Sequence, residues 1–431
     1  MSAAARPLSS GPWNEPVFLA VSPNGRYFTN RGTPFLIHGD TAWSAIVNLT
    51  QAEMLTYLDD CQTRGFTAVV VNLFDAFFAT DPPNDRYGNA PFVGTQFQSA
   101  ITTAYKNNAL FFTRAAKARS IAVIIDPAYQ GFDGGEQGFY TACQAATDAQ
   151  MRSVGAEIGT TFKNERNIIF SMFGDYNPPS HARVNALRAG ITSTHPRALF
   201  GAHFGPDVSG HDVATAWKQD WDWIYRYGGF VDSQVTDGFN IATVKPVVFS
   251  EGWYEGENSS TALDIRRQAW GAMFGGACGH CYGHRDIWGF GNGLFQVGSW
   301  QNAIANTANV AIARTQMAHL LAFFASRPWY LLVPDQGNTF ITAGRGTGGT
   351  AGYVPAAVAS DGSFAGAYLP TGSTGGAITV NKARMSGAFS WTWVNCRTGA
   401  TSGGASGVAA SGTMDITAPD GNDWALRMVV D

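Results

Sequence analysis

Two carboxylates each close a short apolar run: Asp175 in NIIFSMFGDYNPP (residues 167–179) and Glu251 in KPVVFSEGWYEG (residues 245–256). Such a run, bounded by turn residues, reads as a buried strand, and Pro178 and Pro179 stop further ladder pairing beyond Asp175. Alone, a carboxylate in that place is most often a cap or turn acceptor. A pair at the ends of two strands can instead cleave a glycosidic bond. One acid protonates the leaving oxygen, and one carboxylate attacks or stabilises an oxocarbenium-like centre. A separation of about 5 to 5.5 Å would favour the retaining, double-displacement route.

Whether the two can meet depends on the elements that carry them. Thr50 and Glu53 form a capping box, Gly65 ends that helix, and the β-branched run FTAVVVNLFD follows at once. The alternation repeats. A helix over 100–120 leads into IAVIIDPAY, one over 139–162 into NIIFSMFGD, and HARVNALRAGITS into RALFGAHF. Then DVATAWKQDWDWIYRY reads as a helix before FVDSQVT, KPVVFSEGWYEG follows, and TALDIRRQAWGAMF leads into GACGHCYGH. With FLIHGDTAW in front, eight strand candidates fall between residues 35 and 284, closed by a helix over about 302–326. This pattern predicts an α/β fold, a (β/α)8 TIM barrel over 35–329. Ahead of it, 1–34 is expected to hold a β-hairpin with its turn at Asn24 and Gly25. Short alternating runs between Gly, Asp and Ser turns after Trp329 predict a small antiparallel β-sandwich domain over 330–431. No linker separates the two, so they are expected to pack together.

A barrel of this kind places its site at the carboxyl ends of the strands. Those ends carry Asp40 and Trp43, Asn72 and Asp75, Asp126 and Tyr129, Asp175, His203, Gln234, then Glu251, Trp253 and Tyr254, and last His280, Tyr282 and His284. Asp175 and Glu251 are the candidate catalytic pair. Asp40, Trp43, Asn72, Asp126, His203, Gln234, Trp253, Tyr254, His280 and Tyr282 are the candidate sugar contacts, and Trp288 could stack on a ring. Glu255 could raise the pKa of Glu251 or turn away into solvent. Cys278 and Cys281 spell a CxxC motif, but period two on a strand puts the sulfurs on opposite faces, so no metal or redox cofactor is expected.

FLIHGDTAW, MFGDYNPP, KPVVFSEGWYEG and GGACGHCYGHRDIWGF resemble signature segments of the apiosidase-like glycoside hydrolases, glycoside hydrolase family 140. The tail with YLPTG, FSWTWVNCRTG and DWALRMV is similar to the small β-sandwich fused to them. The resemblance implies a retaining barrel with an aspartate acid/base after strand four and a glutamate nucleophile after strand seven, roles that fall on Asp175 and Glu251. It also implies release of a terminal apiofuranosyl or related pentofuranosyl residue from plant glycans or glycosides. MFGDYNPP departs from the pattern in lacking a second Gly and a basic residue beside the Asp. An endo-acting furanosidase, marked by an open groove, is the second enzyme reading. A non-catalytic carbohydrate-binding or phage-tail adhesion protein is a third, disfavoured by the intact carboxylate pair.

Composition agrees with a carbohydrate partner. A net charge of -4 with 14% charged residues offers no basic face for nucleic acid or a membrane surface, whereas 13% aromatic residues suit stacking on flat, uncharged ligands. No apolar run is long enough to span a bilayer, and MSAAARPLSSGPWNEP lacks the apolar core of a signal peptide, so the chain reads as soluble. Five scattered cysteines are not a disulfide framework. The compartment, secreted or periplasmic included, and the oligomeric state stay open.

Overall fold

In the computed structural model, which describes residues 17–212, 217–291, 296–372 and 376–431, the chain begins with three short antiparallel strands. They are β1 (Leu19–Val21), β2 (Phe28–Asn30) and β3 (Thr33–Phe35), with Asn24 and Gly25 in the first turn as expected. The side chain of Asn24 accepts from Ser22 Oγ and Arg26 N–H, which folds the turn, and Gly25 supplies the positive φ of 76°. The stretch 1–16, read above for a signal peptide, lies outside the described residues.

Eight parallel strands follow, with helices between all of them except the fifth and the sixth among the described residues. In chain order these are β4 (Ile37–Thr41), α1 (Ala45–Asn48), α2 (Gln51–Arg64), β5 (Ala68–Asn72), α3 (Thr103–Ala118), β6 (Ala122–Asp126), α4 (Tyr140–Ala145) and α5 (Asp148–Phe162). β7 (Ile168–Met172), α6 (Ala182–Thr194), β8 (Phe200–Ala202), β9 (Asp222–Tyr225), α7 (Asp232–Asn240), β10 (Val247–Glu251), α8 (Ala262–Phe274), β11 (Gly279–Tyr282), α9 (Trp300–Ile304) and α10 (Ile312–Phe324) complete the unit. The strands are ordered β8-β7-β6-β5-β4-β11-β10-β9, and the Asp220 N–H reaches the Phe200 carbonyl at 2.8 Å where the ring closes. Every residue of these strands is buried, because helices cover the outside and side chains fill the inside. The capping box at Thr50 and Glu53 and the left-handed Gly65 bound α2 as the sequence indicated.

The sixth strand is not where the sequence placed it. FVDSQVT, expected as a strand, enters α7, and the strand is β9, inside the segment expected to be helical. Trp221-Asp222-Trp223-Ile224-Tyr225 alternates with period two: Asp222 takes His211 Nδ1 at 2.6 Å and Gln219 Nε2 at 2.7 Å, while Trp223 packs on His203. Val231 and Val235, four residues apart, supply the apolar stripe that seats α7. The helix expected over 139–162 divides into α4 and α5, where Thr147 and Gln150 form a new capping box.

After α10 come β12 (Leu332–Pro334), β13 (Ile341–Ala343), β14 (Ala356–Ala359), β15 (Phe364–Leu369), β16 (Ala377–Asn381), β17 (Phe389–Asn395), β18 (Thr401–Val408), β19 (Thr413–Thr417) and β20 (Trp424–Val430). They form two antiparallel sheets, β12-β14-β15-β20-β17-β18 and β13-β16-β19, around a core that includes Ile341, Val358, Ile378, Trp393 and Leu426. The six-stranded sheet also packs on the barrel. Trp270 of α8 stacks on Tyr368 at 6.0 Å and 9°, Phe323 of α10 meets Phe364, and buried Arg266 pairs with Asp423 at 2.6 Å.

One buried ion network ties α10 to the barrel. Arg314, fully buried, reaches Asp40 of β4 at 2.6 Å and Asp60 of α2 at 2.7 Å, and Tyr57 donates to Asp40 at 2.8 Å. Burial pushes Asp40 up to about 6 even with Arg314 beside it. Removing one partner of a buried pair leaves an uncompensated charge, so Arg314→Met should destabilise the fold by about 3–5 kcal/mol. Chemical denaturation reads this directly, and an unchanged midpoint would contradict it.

Candidate active site

Glu251 reaches the barrel mouth through a bulge. Along β10 the outward side chains Val247 and Phe249 pack in the helix layer, so strict alternation would turn Glu251 outward as well. The pairing with β9 shifts between Phe249 and Glu251, where Ser250 is the extra residue: Phe249 faces Ile224, and Glu251 faces Tyr225. That extra residue turns the carboxylate into the mouth, a common use of bulges beside sites. There Glu251 Oε1 accepts from Tyr254 Oη at 2.6 Å, and Trp43 Nε1 donates to the same Tyr254 oxygen at 2.6 Å. His203 Nε2 lies 2.9 Å from Glu251 Oε2 as an ion pair, off the line of a straight hydrogen bond.

His203 is held from every side. Its ring stacks between Trp223, at 4.4 Å and 23°, and Trp43, at 5.4 Å and 16°, and Asp126 Oδ2 lies 3.8 Å behind Nδ1. Burial alone would lower its pKa. The carboxylates of Asp126 and Glu251 outweigh burial and hold it at about 9, so the imidazolium persists at neutral pH, flanked by two indole faces. Asp126 itself is raised by burial, accepts the Ala128 N–H at 2.9 Å, and sits behind His203 rather than on the cleft wall.

Asp175 stands on an unusual backbone. Phe173, Gly174 and Asp175 have φ values of 86°, 62° and 60°, three left-handed residues in succession. Such strain persists only where the surroundings impose it. The Phe173 ring is buried against His181, Phe204 and Trp217, and its carbonyl accepts from the Gln130 N–H at 2.9 Å. A Cβ on Gly174 would stand 2.6 Å from Tyr129 Cα and 2.9 Å from Asp126 Oδ2, so only glycine fits between strand and aspartate. The carboxylate accepts from Tyr129 Oη at 3.3 Å. Burial, and then the charge of Glu251, push it up to about 7.

Asp175 and Glu251 thus line one cleft of about 340 Å³, together with Trp43, Asn72, His203, Tyr254 and Trp288 of the residues expected from sequence. Six expected contacts lie elsewhere, Asp126 behind His203 being one. Asp40, His280 and Tyr282 occupy the strand face turned to the helices: Asp40 binds Arg314, His280 Nε2 lies 3.0 Å from His38 Nδ1, and Tyr282 donates to Glu255 at 2.6 Å. Alternation grouped His280 and Tyr282 correctly, but that common face looks outward. Gln234 is on α7 and donates to Ser209 Oγ at 2.9 Å, because the sixth strand is β9. Trp253 is half-buried outside the cleft, with its backbone N–H donating to Gln268 Oε1 of α8. Glu255 turns away from Glu251 and accepts the Ala313 N–H at 2.8 Å at the start of α10. Cys278 and Cys281 are both buried and unpaired in any disulfide.

Sequence reasoning missed Tyr225, Tyr227, Phe132, Gln137 and Glu257, which also line the cleft. The period-two alternation of WDWIY carried the signal for Tyr225; the loop residues had none.

Because Tyr254 is the only hydroxyl that donates to Glu251 among the described residues, Tyr254→Phe should lower kcat/KM by about 10- to 100-fold with the fold intact. Steady-state kinetics beside circular dichroism test this, and unchanged turnover would remove Tyr254 from the site.

No curated protein matches the chain. Among solved structures, a glycoside hydrolase superposes with a TM-score of 0.81 at 22% identity, over 97% of this chain and 98% of its own. A glycoside hydrolase family 5 protein from Bacteroides vulgatus superposes at 0.80 and 21% identity, over 96% and 93%. These show the common fold. No helix among the described residues is long and apolar enough to cross a membrane. The model of the apiosidase-like catalytic domain matches residues 22–331, most of the chain, and the chain therefore belongs to the apiosidase-like family and is a glycosidase.

Proposed function

We propose that the chain is a retaining, exo-acting glycosidase that releases a terminal apiofuranosyl or related pentofuranosyl residue from plant glycans or glycosides. Asp175 serves as acid and then base, and Glu251 as nucleophile. The supporting observation is the unequal setting of two carboxylates in one cleft. Asp175, raised to about 7, holds a proton near neutrality, whereas Glu251 faces the Tyr254 hydroxyl and the His203 imidazolium, which favour and aim an attacking anion. Protonation of the leaving oxygen by Asp175 accompanies attack by Glu251 on the anomeric carbon. Water, deprotonated by Asp175, then releases the sugar.

The exo reading rests on the walls. Loops following all eight barrel strands line the cleft, from Trp43 after β4 round to Trp288 after β11, which supports a site closed around one terminal sugar. The choice of a furanose comes from the family. A panel of apiosides, arabinofuranosides and common pyranosides, read by released monosaccharide, tests both points. A furanose should be the first product. Oligosaccharides as first products would overturn the exo reading, and turnover of pyranosides alone would overturn the furanose.

A further inference from the structure

We propose that Glu257, a third carboxylate in the cleft, determines which sugar is accepted by taking hydrogen bonds from ring hydroxyls of the residue bound over Glu251. This rests on the glycosidase reading above and deepens it. Glu257 lines the cleft six residues beyond Glu251, yet the chemistry of two displacements uses only Asp175 and Glu251. Its carboxylate is fixed rather than free to swing. Oε2 accepts from Tyr227 Oη and Oε1 from Trp288 Nε1, each at 2.7 Å, while Asn258 Nδ2 donates to the Tyr227 oxygen at 2.9 Å and so directs the tyrosine proton onto Glu257. An ionised carboxylate offers about four acceptor positions, and these two donors occupy one on each oxygen.

Its place in the ring fits the half of the substrate that must be recognised. In the order β8-β7-β6-β5-β4-β11-β10-β9, β11 stands opposite β7. Asp175 follows β7, so the leaving group it protonates lies on that side. Glu257 and Trp288 follow β10 and β11, so the wall across the ring is theirs and the glycone lies against it, while Tyr227, after β9, holds Glu257 from the side. A sugar presents hydroxyl donors in its ring plane and C–H groups on its face. Glu257 meets the first, and the Trp288 ring meets the second. Glu257 is half-buried, and burial raises its pKa against its two hydrogen bonds and the charge of Arg285.

The test compares wild type with Glu257→Gln on the aryl glycoside that wild type cleaves best, whether furanoside or pyranoside, and on each of its monodeoxy analogues. The expected result is a loss of about 10- to 100-fold in kcat/KM on the parent sugar. On the analogue lacking the contacted hydroxyl, the two proteins should agree within about twofold. The same loss on every analogue would mean that Glu257 only braces its loop, and no loss on the parent would equally overturn the inference. Wild-type preference for pyranosides would count against the furanoside reading alone, since the Glu257 comparison is then made on that pyranoside. Should Glu257→Gln not fold, Tyr227→Phe frees Oε2 and keeps the charge. Its loss should fall on the same hydroxyl position, and an even loss across the analogues would overturn the inference.

Discussion

Glu251→Gly is expected to lose turnover by a factor on the order of 10⁴ or more, because the atom that attacks the anomeric carbon is gone while the fold around it stays. The vacated space lies beside His203 and Tyr254, two groups arranged for an anion. Azide should enter it, attack from the face opposite the leaving group, and give a glycosyl azide of inverted configuration. The charge of Glu251 is one of the causes that raise Asp175, so its removal should lower the Asp175 pKa. Rescue by azide should therefore fall off at a lower pH than wild-type activity does. Product analysis by NMR across a pH series checks all three points. A variant that keeps most of its activity without azide would clear Glu251 of the nucleophilic role.

Asp175→Asn is expected to slow the first chemical step most where the leaving group is poor, by about 10²- to 10⁴-fold, and far less for activated aryl glycosides. Wild-type kcat/KM requires Asp175 protonated, so it should decline as pH rises through about 7, the value to which burial and Glu251 push this group. The variant has no proton to lose there and should lack that alkaline limb. Pre-steady-state and pH-profile measurements over a series of leaving groups separate the outcomes. Equal losses for aryl and natural leaving groups, or an alkaline limb that survives in the variant, would assign the acid to another group.

Much of this arrangement was legible from local sequence. Thr50, Glu53 and Gly65 mark a helix through its caps, and seven strands fall where the sequence placed them, five of them directly after helical segments. Asp175 and Glu251 could be picked out because each ends such a run. The sixth strand was not legible, since Trp217, Trp221 and Tyr225 recur at near-helical spacing while the true signal is a short alternation in which Asp222 is buried with His211. Facing was the other limit. Period two groups His280 with Tyr282, but nothing local says which face of a barrel strand looks inward, and both side chains look toward the helices. Glu251 is the converse case: alternation would turn it outward, and only the bulge at Ser250, a product of pairing with β9, brings it into the cleft. Glu257 was invisible because its partners, Tyr227 and Trp288, come from loops 30 or more residues away.

The double displacement by Glu251 and Asp175 is tested most directly by the anomeric configuration of the first-formed sugar. Wild-type protein and a furanoside of known configuration are mixed in an NMR tube, and the anomeric proton of the product is followed before mutarotation scrambles it. Two inversions at one carbon restore the starting configuration, so the initial product should match the substrate's anomer. An initial product of opposite configuration would mean a single displacement by water, with Glu251 acting as its base, and would contradict the covalent mechanism.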